Sequence, residues 1–241
     1  MLNQILHADC FDIIPKIKNK SVDLILTDPP FVISRKSNFK ITTDNLNDVS
    51  RSKFSNISID FGEWDKSEIN LDILFEHYKR ILKKGGSLII FYDIWKANII
   101  KEIAEKHGFK QPRICIWVKN NATPINSKHN YLSNSAEYFF TFVKSGKPTF
   151  NSEYDKGIYN YPICHGKERT NHPTQKPLNL IKDIIKKHSN QGDTILDTFA
   201  GSGSIGVAAK ELDRNYILIE KEEEYFNICQ SRINKVVNFN I

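Results

Sequence analysis

The segment "TILDTFAGSGSIGVAAKELDRNYILIE", residues 194–220, narrows the choice of fold more than any other part of the chain. An apolar run ends in a glycine-rich turn, a helical period follows, and a second apolar run ends at Glu220. A strand, a helix and another strand in that order form a crossover unit, which places the two strands parallel. The same alternation recurs along the chain. Apolar runs near 3–8, 22–27, 87–92, 113–118, 137–143, 194–198 and 216–220 read as seven strands. Three- and four-residue spacing of apolar positions predicts helices over 67–83, 177–188, 204–212 and 223–235. The first would be capped by Ser67 and stopped by Gly85-Gly86. The fold class that follows is α/β, a doubly wound and mostly parallel sheet. No helical period separates 113–118 from 137–143, so these two predict an antiparallel hairpin at the sheet edge. At 241 residues the chain suits one large domain, since domains commonly take ~100–200 residues.

In such a sheet the ligand crevice lies beyond the carboxyl ends of the strands, where the strand order reverses. Two motifs claim that position. Gly201-Ser202-Gly203-Ser204-Ile205-Gly206 matches G-x-G-x-x-G in the required context, after a strand and before a helix. Glycines let a ligand approach the backbone closely, and Glu220 can accept hydrogen bonds from ribose hydroxyls. NAD and S-adenosylmethionine both offer such a ribose. Asp197, at the strand end before the glycines, favours a cationic ligand over a pyrophosphate, or is structural. The second motif is Asp28-Pro29-Pro30-Phe31, directly after the run Val22–Thr27. Two prolines cannot continue a ladder, because neither has an N–H to donate. A carboxylate, a rigid corner and an aromatic ring therefore face the crevice if the two strands are neighbours.

Two regions escape the alternation. Residues 32–63 carry Arg35, Lys36, Lys40, Arg51 and Lys53. Residues 144–171 carry Lys144, Lys147, Lys156, Lys167 and Arg169 among Phe150, Tyr154, Tyr159 and Tyr161. Long segments without regular structure are functional loops or solvated insertions. Basic residues interleaved with aromatics suit a nucleic-acid surface, and a net charge of +6 permits a polyanionic partner. Cys10, Cys115, Cys164 and Cys229 lie far apart without zinc-like spacing, which predicts no metal and a reducing, cytoplasmic compartment. The first residues lack the pattern of a signal peptide. No apolar run reaches the ~18–20 residues of a membrane span, so no membrane is expected.

"TDPPF", "HPTQKP" (172–177) and "DTFAGSGS", in that order, resemble the β class of DNA amino-methyltransferases, which methylate exocyclic amines of bases with S-adenosylmethionine. "SIDFGEWDK" (58–66) and "WVKNN" (117–121) are further similar to MboII-type adenine enzymes, which act on GA-rich asymmetric sites. The resemblance spans most of the chain. It implies a Rossmann-like methyltransferase sheet with circularly permuted motif order and double-stranded DNA as partner. It implies methylation of the N6 amine of a flipped adenine, with Asp28, Pro29, Pro30 and Phe31 as catalytic residues. The cofactor residues it implies are Asp9, Cys10, Asp28, His172, Thr174, Gln175, Lys176, Phe199, Ala200, Gly201, Ser202, Gly203 and Glu220. Asp9 also reads as a helix N-cap, Lys176 as a solvated charge and Phe199 as core. It further implies a single domain over 1–241, a mobile DNA-contacting loop at 32–63 and a target-recognition region at 120–171. The family often has Tyr at Phe31, Asn at Val32 and Thr at Ser204. The family often forms homodimers and works beside a separate restriction endonuclease, and the sequence decides neither.

N4-cytosine methylation is the nearest alternative, although its enzymes tend to carry Ser or Thr at Asp28. RNA or protein amide methylation, a non-catalytic DNA-binding subunit and a nicotinamide oxidoreductase stand further off. The absence of a Pro-Cys pair removes cytosine C5 chemistry.

Overall fold

The computed structural model describes residues 1–30, 69–122 and 132–236. The chain divides into two compact units, Met1–Pro29 with Asn70–Ile241, and Pro30–Ile69. The first is described below. Of the second only Pro30 and Ile69 belong to the described residues, so Phe31, Val32, Ser67, the loop expected at 32–63 and the segment 58–66 lie outside them.

Among the described residues eight strands form one sheet: β1 (Gln4–His7), β2 (Val22–Thr27), β3 (Leu82–Phe91), β4 (Lys110–Lys119), β5 (Ala136–Val143), β6 (Ile158–Tyr161), β7 (Thr194–Asp197) and β8 (Asn215–Glu220). Their order is β1-β8-β7-β2-β3-β5-β4-β6. Only β5 runs antiparallel to its neighbours β3 and β4. The helices are α1 (Cys10–Ile13), α2 (Leu71–Ile81), α3 (Ala97–Lys106), α4 (Leu178–His188), α5 (Ser204–Glu211) and α6 (Glu223–Asn234). Among the described residues no helix is long and apolar enough to cross a membrane.

The strands of the sheet centre are apolar on both faces, as a doubly covered sheet requires. On one face Leu24 and Leu26 pack with Leu180, Ile181, Ile184 and Ile185 of α4 and Ala208 and Ala209 of α5. On the other, Phe75 of α2 meets Phe109 and Phe142 edge-on at 5.9 and 6.2 Å. Each such fully buried side chain contributes about 1.5–3 kcal/mol.

The structure differs from the sequence expectation in four places. The sheet has eight strands and not seven, because Ile158–Tyr161 pairs in parallel with β4. This strand lies inside the stretch expected to be irregular, and it covers the hairpin, which is therefore not at the edge. Within the same stretch Tyr159 is core and so does not belong to a surface, and Lys144, half-buried, bonds to the Leu82 carbonyl. Helix α2 starts at Leu71, where the Asn70 side chain accepts the Ile73 N–H. Gly85 and Gly86 do not stop that helix but lie within β3. Gly85 has φ +81°, and a Cβ there would come within 2.8 Å of the Lys147 carbonyl oxygen. Helix α3 was not foreseen.

Candidate active site

Strands β2 and β7 are parallel neighbours, so the diproline corner and the glycine loop open from adjacent strand ends. The chain continues from β2 towards β3 on one side and from β7 towards β8 on the other, which makes this junction the switch point. Hydroxyls stitch it together. Thr27 donates to Asp197 at 2.9 Å and lies 3.1 Å from the Thr198 hydroxyl, which Tyr78 meets at 2.5 Å. The Phe199 N–H also donates to Asp197, at 3.1 Å.

Asp28 follows β2 directly, with Pro29 buried behind it. One of its carboxylate oxygens, Oδ2, pairs with the Lys176 ammonium. Among the described residues nothing donates to its other oxygen. Lys176 is itself buried, lies 3.3 Å from Glu137 Oε2 and sits 5.0 Å from the centre of the Phe91 ring. Glu137 in turn meets Lys119 at 2.7 Å. The result is a chain of alternating charges, Asp28, Lys176, Glu137 and Lys119, at the carboxyl end of β2 and the connected end of the β4–β5 hairpin. Burial raises the pKa of Asp28, and Lys176 opposes that rise. Burial alone would depress Lys176, but the two carboxylates hold it above its ordinary value. Burial would likewise raise Glu137, and the two lysines bring it below the ordinary carboxylate value.

The glycine loop is shaped for close approach. Gly201 has φ +51°, and a Cβ on it would lie 2.7 Å from His172 Nε2. Gly203 has φ +80°, and a Cβ on it would strike Cys229 Sγ at 2.6 Å. Only glycine occupies both positions without strain. Glu220 ends β8 and is buried. It accepts the Gly201 N–H at 2.6 Å and the Glu222 N–H at 2.8 Å, which fixes the loop against the strand end. Burial raises its pKa against those hydrogen bonds. Burial also pushes Asp197 up to about 7, with Asp28 and Glu220 adding to the effect. Three carboxylates thus end the adjacent strands β2, β7 and β8. Their mutual repulsion suits a cationic ligand, and the two glycines let His172 and Cys229 pack directly against the loop. These residues fit S-adenosylmethionine, a sulfonium carrying an adenosine ribose.

The remaining expected residues fall into two groups. Asp9 lies at the end of β1, next to β8. It caps α1 through the Phe11 N–H at 3.0 Å and pairs with Lys221 at 3.1 Å. Cys10 is buried behind it, its thiol pushed up to about 12 by burial and the Asp9 charge. Phe199 is partly exposed and Ala200 buried. His172 stands edge-on to Tyr225 at 4.4 Å, and burial lowers its pKa to about 4, so it is neutral at pH 7. Its Nδ1 is buried without a partner among the described residues. An orphaned buried polar atom of this kind awaits a ligand or a water. In the other group Gln175 and Ser202 are hydrogen-bonded to their own surroundings. Gln175 accepts from the Thr170 N–H and hydroxyl and donates to the Glu168 carbonyl, each at 2.8 Å, which spends its amide on its own loop. The Ser202 carbonyl and hydroxyl both take Arg232, at 2.6 and 3.0 Å. Thr174 is half-buried and makes no side-chain hydrogen bond to a described residue. Ser204 donates to the Lys176 carbonyl at 2.9 Å and ties the "HPTQKP" segment to the start of α5.

Sequence reasoning missed Glu137, Lys119, Thr27, Thr198 and Tyr78. A signal for Glu137 existed, since it is a charge at the head of the otherwise apolar run "AEYFFTFV". Of the hydroxyl cluster, Thr27 and Thr198 lie within "TDPPF" and "DTFAGSGS", while Tyr78 reads as one more apolar position of its helix.

The model of the N6/N4 DNA methylase family matches residues 22–231. The chain is 31% identical to the Type II methyltransferase M.HinfI of Haemophilus influenzae over 98% of this chain and 69% of that protein. It is 31% identical to the Type II methyltransferase M2.MboI of Moraxella bovis over 96% of this chain and 88% of that protein. The crystal structure of the M1.HpyAVI–SAM complex superimposes with a TM-score of 0.72 at 31% identity, covering 96% of this chain and 98% of that one. The cytosine-N4-specific PvuII DNA methyltransferase shares the fold at 16% identity, with a TM-score of 0.73, 100% of this chain and 88% of that one covered. With the permuted motifs gathered at one switch point, the chain belongs to the N6/N4 DNA methylase family, the S-adenosylmethionine-dependent methyltransferases of DNA.

Proposed function

We propose that this chain methylates the N6 amine of adenine in double-stranded DNA, with Asp28 as the residue that engages the amine. The observation that carries the reading is the state of Asp28. It is a partly buried carboxylate, paired through one oxygen with Lys176, with its other oxygen left over among the described residues and a diproline fixing the backbone behind it.

The N6 lone pair of adenine is delocalised into the ring, so the amine is a poor nucleophile. Two acceptors aimed at its two N–H groups favour a pyramidal nitrogen with a localised lone pair. The Asp28 carboxylate and the Pro29 carbonyl are such acceptors, and the rigid Pro29-Pro30 corner removes the cost of reorganising them. S-adenosylmethionine, when bound, supplies an electrophilic methyl group on a sulfonium. The residues that would hold it are the Gly201–Gly203 backbone, Glu220 at the ribose, Asp9 with Cys10 and Phe199 at the adenine end, and the 172–176 segment. Asp197 would face the positive charge. The amine is inaccessible in a stacked duplex, so the base is flipped out, and Phe31 would stack on it. Residues 32–63 and 120–171 would contact DNA and select the site. The Type II relatives extend the proposal to a restriction–modification setting, with a separate endonuclease and a homodimeric methyltransferase.

Adenine is preferred over cytosine because position 28 holds a carboxylate where N4-cytosine enzymes tend to carry Ser or Thr. The test is incubation of unmethylated DNA with labelled S-adenosylmethionine, followed by nucleoside analysis. N6-methyladenine is expected. Asp28→Ala should abolish it while calorimetry shows the cofactor still binding. Label in N4-methylcytosine, or full turnover by the Asp28 variant, would refute the reading.

A further inference from the structure

We propose that Glu137, which none of the family motifs contains, is a positioning residue for Asp28 and acts through Lys176. The inference rests on the reading of Asp28 given above. Glu137 stands on β5, opposite Trp117 of β4. It sits between two ammonium groups, Lys176 at 3.3 Å and Lys119 at 2.7 Å. Both lysines are further held by rings, Lys176 by Phe91 at 5.0 Å and Lys119 by Trp117 at 5.3 Å. The Lys119 N–H also donates to the Ser135 carbonyl at 2.7 Å. The hairpin thus closes around the cluster at both strand ends.

The reason for a second carboxylate is charge balance. Lys176 facing Asp28 alone would be a single cation on a single acceptor, and the acceptor's electron density would be drawn towards the ammonium. Glu137 takes a share of that cation and holds it to one side. Asp28 then keeps a basic oxygen for the amine. Lys119 neutralises Glu137, so the four groups sum to zero charge and the partly dehydrated site carries no excess. The other ionisable groups near Asp28 are Asp197 and Glu220, at the ends of β7 and β8, and His172, which Lys176 and Arg169 help to keep neutral.

Two variants separate this role from simple support of the fold. Glu137→Gln keeps the size and removes the charge. Lys176 then closes on Asp28 and weakens it as an acceptor, so kcat should fall about tenfold, well short of the effect of losing a direct contact. Glu137 also raises the pKa of Asp28, so its neutralisation lowers that pKa. The acid limb of kcat should therefore move to lower pH, by about one unit for a charge at such a distance in a partly shielded site. Glu137→Asp keeps the charge and shortens the reach, so kcat should be intermediate and the limb near the wild-type position. Thermal unfolding of each variant reports on folding. A Glu137→Gln enzyme with wild-type kcat and limb, or one whose loss matches its unfolded fraction with the limb unmoved, would overturn the proposal. Asp28→Asn in the same series separates the two claims. If it is inactive, such a Glu137 result sinks only the positioning role. If it turns over normally, the reading of Asp28 falls and this inference with it.

Discussion

Replacing Lys176 with Met tests the centre of the site from the opposite side. Met retains the aliphatic stem beside Phe91 and deletes the ammonium. Asp28 then loses the group that pairs with it, while Glu137 and its negative charge remain. An adjacent cation typically lowers a carboxylate pKa by about 1–3 units, so its removal should raise that of Asp28 by a similar amount. The acid limb of methyl transfer moves to higher pH, and at a pH below both limbs activity falls about tenfold for each unit of the shift, about 10–1000-fold in all. The direction is opposite to that expected for Glu137→Gln, which makes the two variants an internal check.

Stability should change as well. Breaking a buried pair by removing one partner costs about 3–5 kcal/mol, because the other charge is left behind. Lys176 has a pKa raised in the folded protein, so its contribution is fully present below the unfolded value and is lost as pH rises through the folded one. The stability gap between wild type and Lys176→Met should therefore close in strongly alkaline solution, where Lys176 is neutral, and narrow on the acid side as the unpaired Asp28 of the variant takes up a proton. Single-turnover transfer of tritiated methyl across pH 5–9, with urea unfolding at matched pH, measures both effects. An unmoved acid limb in a folded, cofactor-binding Lys176→Met protein would refute the assignment of Lys176 as the partner that keeps Asp28 ionised.

Glu220→Gln should weaken S-adenosylmethionine binding about tenfold or more by calorimetry, since a charge-assisted acceptor becomes a neutral one; equal affinity would remove Glu220 from the ribose. Asp197→Asn should stabilise the ligand-free protein above neutral pH. The Asp197 pKa is raised to about 7, so the native state holds a proton that the unfolded chain has released, and wild-type stability falls as pH rises from about 4 to about 7. The melting temperature of the Asn variant should escape that fall, and parallel pH profiles for the two proteins would contradict the shift.

What was legible in the sequence was local. Asp28-Pro29-Pro30 and Gly201 to Gly203 declare themselves, because a diproline after an apolar run and a glycine turn before a helix each have few structural uses. The alternation of strand and helix placed both at strand ends. Gly85-Gly86 was misread for the same reason. A glycine pair after a helical period usually ends the helix, but here the need for glycine comes from the Lys147 carbonyl, far along the chain. The eighth strand was hidden because Ile158–Tyr161 is short, carries polar side chains and takes its partner from β4 rather than from a pattern of its own.

The partners of Asp28 belong to the second kind of information. Lys176 was visible within "HPTQKP", yet nothing local distinguishes a lysine bound for a cofactor from one bound for a carboxylate. The insertion of antiparallel β5 beside β3 brings Glu137 within reach of Lys176, which pairs with Asp28. The consequence reaches the chemistry. Asp28 and Asp197 end neighbouring parallel strands and both are pushed upward by burial, but only Asp28 has a cation against it. Asp197 has two neutral donors, the Thr27 hydroxyl and the Phe199 N–H, and rises to about 7. Adjacent carboxylates are thereby given different work. One has a cation against it and is the proposed acceptor for the amine, and the other, raised to about 7, stands at a protonation balance that a neighbouring positive charge tips towards the anion.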